Sequence, residues 1–79
     1  MKKLVEFLAK NIVEKPDLVR VEEEQQNGAK IIKLFVGSED MGKIIGKGGR
    51  IIKSLRTLVK IKAVKSGEKA FLQVQDPNE

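Results

Sequence analysis

The 79-residue chain contains no cysteine, histidine, tryptophan or tyrosine, and only two prolines and three phenylalanines. Without cysteine there is no disulfide and no thiolate zinc site, so nothing in the sequence requires an oxidising compartment. Without histidine the commonest metal ligand and the commonest general base are both missing, which removes most hydrolase chemistries. Ser38, Ser54 and Ser66 have no imidazole to activate them, and the run Glu22-Glu23-Glu24 reads as a solvated strand end rather than a catalytic cluster. An enzyme is the weakest functional class, and no cofactor or metal is implied. Long apolar runs are lacking too, with no stretch near the roughly 18 residues of a membrane span. After Met1-Lys2-Lys3 the apolar run is broken by Glu6 and then Lys10, which leaves no signal-peptide core. The expectation is a soluble cytoplasmic protein.

So short a chain buries only about 60% of its unfolded surface, with a net stability on the order of 4–12 kcal/mol. One core fits. Residues 1–76 are expected to form one domain, residues 77–79 a frayed tail, and any substrate cavity should be small or absent.

What the chain does have is positive charge in one place. The formal net charge is +5. Residues 1–40 carry seven basic and eight acidic side chains, and residues 66–79 carry one against three. Residues 41–65 carry eight basic side chains (Lys43, Lys47, Arg50, Lys53, Arg56, Lys60, Lys62, Lys65) and no acidic one. Such a block seeks a polyanion, nucleic acid first and anionic membrane second; the plainer alternative is a solvated helix face. Membrane-surface binding ranks low, because the basic face opposes a core-facing stripe and lacks exposed aromatics.

Leu4, Val5, Leu8 and Ile12 recur at helical spacing, and Pro16 ends that pattern, which predicts a helix over about residues 2–14. Leu18 to Glu22 alternates at period two, Ile31 to Val36 is β-branched and apolar, and Asn27-Gly28 between them predicts a hairpin. Ser38-Glu39-Asp40 reads as a helix N-cap followed by dipole-favoured acids, with a short helix stopping near Gly46. From Gly49 or Arg50 a second helix is expected, with Ile51, Ile52, Leu55, Leu58 and Val59 in one arc and Arg50, Lys53 and Lys60 opposite. Residues 59–63 also alternate like a strand, but the helical phase set by Leu55, Leu58 and Val59 carries the helix to about residue 64. Ala70 to Val74 is the last strand. The expected order is α-β-β-α-α-β.

Three of the seven glycines lie within Gly46-Lys47-Gly48-Gly49, between two helices. Glycine permits left-handed angles and close approach of a ligand, and a helix beginning there offers its first N–H groups and positive dipole end. With Lys47 and Arg50 this makes an anion site suited to phosphate. A Walker A loop fails, because only three residues separate Gly42 from Gly46 and Gly48 stands where a hydroxyl is needed. A dinucleotide fingerprint fails at Ile51. A plain helix-turn-helix corner with capping glycines remains the alternative, although a bare cap explains one glycine rather than three.

Ile45-Gly46-Lys47-Gly48-Gly49-Arg50-Ile51-Ile52 fits I-G-x-x-G-x-x-I and so resembles the signature of KH domains, whose GXXG loop clamps the backbone of about four nucleotides. The element order is similar to the type II arrangement, an α+β fold with a three-stranded sheet packed against three helices. Length, the stretch Asp40 to Arg50 and the following Ser54-Leu55-Arg56-Thr57-Leu58 resemble the free-standing bacterial KhpA group, formerly YlqC. Two departures stand out: the third glycine, Gly48, and Ile61 and Val64, where relatives tend to alanine. The resemblance implies single-stranded RNA binding, an RNA-chaperone role linked to cell elongation and wall synthesis, a homodimer, and a heterodimer with a KhpB (Jag/EloR)-like protein.

On this reading the RNA backbone crosses Gly46, Lys47, Gly48 and Gly49, gripped by main-chain N–H groups, Lys47 and Arg50, with Lys43 and Lys53 adding long-range attraction. Bases would rest on Ile44 and Ile45, although core packing is the favoured reading for Ile45, and on the second strand near Ile32 and Leu34. Phe7 and Phe71 are expected in the core, and Phe35 on the other side of the sheet. With no aromatic platform, sequence selectivity should be weak and oligomerisation should raise affinity. A second hypothesis is a protein-interaction module. Ile61 and Val64 fall outside the apolar arc of their helix, as partner surfaces do.

Overall fold

The computed structural model describes residues 1–75, apart from the side chain of Lys47; the expected tail at 77–79 lies outside the described residues. Helix α1, Lys2–Ile12, buries Val5 and Ala9 on one face. It stops short of residue 14 because Val13 is already extended, while the backbone N–H groups of Glu14 and Lys15 turn to the carboxylate of Asp40. A 3-10 turn at Pro16–Leu18 leads into strand β1, Arg20–Gln26, which pairs antiparallel with β2, Ala29–Phe35. Asn27 (φ 50°) and Gly28 (φ 79°) make the tight turn, both in the left-handed region that this type of connection requires.

Helix α2 runs from Ser38 to Lys65, and strand β3, Ala70–Gln75, then pairs parallel with β2. The sheet is mixed, in the order β1-β2-β3, and the fold is α+β as the sequence leads one to expect. Two details of α2 differ from expectation. Gly37, in extended conformation, holds the N-cap position, and Ser38 is the first helical residue. The two separate helices are also joined into one element. It is not straight: 28 residues at 1.5 Å each would span about 42 Å, whereas the longest dimension of the molecule is 34 Å. The break lies at Gly48 (φ 74°) and Gly49 (φ 70°), since consecutive left-handed residues cannot continue a right-handed helix in one direction. The two limbs on either side are the two expected helices. The strand alternative for residues 59–63 fails, since the second limb is helical to its end.

The core lies between the sheet and the helices. Val21, Ile32, Leu34 and Leu72 come from the strands, Val36 from the residue just after β2, Val5 and Ala9 from α1, and Ile44, Ile52, Leu55 and Val59 from α2. Leu58 is partly exposed at the margin of its arc. Phe7 and Phe71, expected inside, are both exposed. Phe7 sits about 200° around α1 from Val5, and Phe71 points away from its core neighbour Leu72 because side chains alternate along a strand. Phe35 does face the far side of the sheet, with the Arg20 guanidinium 4.6 Å from its ring centre. The sheet edges differ. β1 presents Arg20, Glu22, Glu23 and Glu24, whereas β3 reads Ala-Phe-Leu-Gln-Val-Gln without a single charge.

Candidate nucleic-acid interface

The glycine turn stands at the surface where the two limbs of α2 meet. A Cβ added at Gly46 or Gly48 would meet nothing within 4 Å, and one at Gly49 would touch only Ile52, 3.3 Å away. The outer side of the turn is therefore open. The second limb is fixed by Ile52, Leu55, Val59 and Ala63, which bury one helical face and leave Arg50, Lys53 and Lys60 exposed on the other.

Ion pairing engages some cations of the chain and not others; among the described residues Lys2, Lys3 and Lys69, outside the basic segment, form no ion pair. In the first forty residues Lys10, Lys15, Arg20, Lys30 and Lys33 each sit within 3.5 Å of a glutamate carboxylate. In residues 41–65 the Lys43 ammonium is held by Glu14 at 3.0 Å, and Arg56 Nε donates to the Leu72 carbonyl at 3.4 Å. Among the described residues Arg50, Lys53, Lys60, Lys62 and Lys65 form no ion pair. Their charge is not cancelled within the chain, so its field is left for an external anion.

The apolar residues expected beside the turn exchange roles. Ile44 is 1% exposed and is a core residue, whereas Ile45 is 50% exposed and stands next to Gly46. Helical geometry decides this, because adjacent residues point about 100° apart and Ile44 takes the direction of the sheet. Ile32 and Leu34 are wholly buried under the helices, so a base cannot rest on them without opening the core. The sequence reading missed an open cleft of about 510 Å³ between the second limb of α2 and the outer edge of β3. Ala63, Val64, Phe71 and Leu72 form its walls, and Arg56, Lys60 and Lys69 stand around it together with Glu68, whose carboxylate is paired with Lys30 at 3.0 Å. One signal for it was available: Arg56 and Lys60 lie one turn apart, flanking the buried row Leu55–Val59. Ile61 (59% exposed) and Val64 (72%) are outside the core, as their phase predicts.

The family model for the KH domain of KhpA/KhpB matches residues 2–74. Among curated proteins, the chain is 47% identical over 74 residues to the RNA-binding protein KhpA of Clostridium perfringens, covering 94% of this chain and 99% of that protein. It is 43% identical over 76 residues to the RNA-binding protein KhpA of Halalkalibacterium halodurans, covering 96% and 100%. With the RNA-binding protein KhpA of Chlamydia trachomatis the identity is 40% over 76 residues, covering 96% and 97%.

Proposed function

The chain belongs to the KhpA/KhpB KH-domain family, and from that premise we propose that it is a single-stranded RNA-binding protein that grips the phosphate backbone at Gly46, Lys47, Gly48 and Gly49. The observation that carries this reading is a coincidence of place: the open glycine turn stands beside Arg50 and Lys53, neither of which forms an ion pair among the described residues, in the one segment of the chain that has eight basic and no acidic side chains. Main-chain N–H groups of the turn and the Lys47 and Arg50 side chains hold phosphate oxygens; Lys53 attracts at longer range. Lys43 joins them only by leaving Glu14. Bases lie beside Ile45 and along the cleft edged by β3, where Arg56 and Lys60 approach and Phe71 offers an apolar wall. Contacts to the backbone dominate, so sequence selectivity is low. The protein binds and performs no covalent chemistry, and the cytoplasm is where its RNA lies. Among the described residues no helix is long and apolar enough to cross a membrane.

The test is the double substitution Lys47→Asp/Gly48→Asp. Both positions are in an open turn, and aspartate tolerates left-handed angles better than most residues. Binding of a labelled single-stranded RNA, read by fluorescence anisotropy, should be lost while the circular dichroism spectrum is retained. Unchanged affinity in the folded variant would refute the loop assignment.

The exposure of Ile61 and Val64, with Leu58 a turn away, supports a second role as a protein-interaction module: a homodimer, and a heterodimer with a KhpB (Jag/EloR)-like protein, formed on the outer face of the second limb. In that setting the domain serves as an RNA chaperone with two grips rather than one, which raises affinity by linkage. Ile61→Asp/Val64→Asp should be monomeric by light scattering at micromolar concentration. A wild-type protein that is already monomeric there would count against this role.

A further inference from the structure

Asp40 is the one buried charged side chain among the described residues, 2% exposed, and it lies in the first turn of α2. Its carboxylate is turned away from its own helix. Oδ1 accepts the backbone N–H of Glu14 at 3.0 Å and Oδ2 that of Lys15 at 3.1 Å, across 26 and 25 residues of sequence. Two ion pairs cross the same junction, Lys15 to Glu39 at 3.3 Å and Lys43 to Glu14 at 3.0 Å.

We propose that Asp40 is a positioning residue for the glycine turn, holding the first limb of α2 in the one orientation that presents Gly46–Gly49 beside Arg50. The reason is the division of anchors. The second limb has four core residues of its own, Ile52, Leu55, Val59 and Ala63, whereas the first limb has Ile44 as its only fully buried apolar side chain. Between the limbs stand Gly48 and Gly49, both left-handed, so the orientation of the second limb does not dictate that of the first. The turn is open on its outer side, where a Cβ added at Gly46 or Gly48 would meet nothing within 4 Å. Asp40 precedes Gly46 by six residues, about 9 Å of helix. A tilt of the limb about Ile44 would therefore carry the turn with it. The carboxylate is suited to the task because both oxygens accept; an amide in its place accepts with one atom and turns a second donor toward an N–H.

The proposal rests on the RNA-binding reading for its affinity measurement, so the experiment has a second measurement that does not. Asp40→Asn is compared with the wild type by the backbone amide resonances of Gly46, Gly48 and Gly49 and by anisotropy with the same single-stranded RNA. Val59→Ala serves as a variant destabilised at the other limb. The expected result is displaced turn resonances and binding weaker by about tenfold, the loss of one charge-assisted hydrogen bond, in Asp40→Asn alone. If that variant does not fold, Asp40→Glu, which keeps both oxygens on an arm one methylene longer, should show the same two changes. Unmoved turn resonances in a folded Asp40 variant, or equal changes in Val59→Ala, would overturn the proposal. A wild type that binds no RNA would sink the functional reading, while the resonances still decide the role of Asp40.

Discussion

At the scale of the residue, adjacent side chains carry opposite obligations. Ile44 and Ile45 are chemically identical, yet one is in the core and the other is beside the turn. Ile44→Ala should cost about 2–5 kcal/mol in chemical denaturation, enough to unfold much of so small a protein. Ile45→Ala should change stability by no more than about 0.5 kcal/mol, and any effect on RNA affinity then reports a contact with RNA. Glu14 offers the reverse experiment. Its carboxylate holds Lys43, a cation otherwise free to meet phosphate. An exposed pair of this kind is worth about 0.2–1 kcal/mol, so Glu14→Gln should tighten RNA binding by up to about fivefold. Weaker or unchanged binding in an anisotropy titration would show that Lys43 takes no part.

At the scale of the element, the bend of α2 depends on two residues with positive φ. Gly48→Ala should cost about 1–2 kcal/mol of left-handed strain, and Gly49→Ala somewhat more, since its Cβ would also crowd Ile52 at 3.3 Å. Gly46→Ala, at ordinary φ with open space around it, should be neutral or stabilising by up to about 1 kcal/mol. Urea denaturation of the three variants checks this order. The elements themselves were legible: Asn27-Gly28 announced the hairpin, and the 3.6 spacing of Ile52, Leu55 and Val59 carried the helix past the ambiguous residues 59–63. What the sequence did not disclose is what depends on distant partners. The early end of α1 follows from a carboxylate 26 residues away, and the burial of Ile32 and Leu34 from which face of the sheet the helices cover. Phe7 and Phe71 were misplaced by hydrophobicity alone, although their phase against Val5 and Leu72 already put them outside.

At the scale of the whole molecule, stability should be level across neutral pH, since there is neither imidazole nor thiol to titrate. The hydrogen bond from Lys10 holds the Glu6 carboxyl below its ordinary 4.5, so its contribution is complete above that pH and fades as the pH falls through the lowered value. The hydrogen bond to Glu68 holds the Lys30 ammonium above its ordinary 10.5, so that contribution is complete below 10.5 and fades as the pH rises beyond it. Thermal melts should show a plateau with a decline at each end. RNA affinity should fall with salt with a log–log slope of roughly −2 to −3 for three or four neutralised phosphates. A flat salt dependence would remove the backbone grip. The uncharged edge of β3 has a further consequence. A six-residue strand with no lysine, proline or bulge to discourage pairing is a template for another strand. If the ligand runs along that edge, the nucleic acid doubles as a sheath, and concentrated stocks stripped of it should cloud on standing and clear when oligonucleotide is returned.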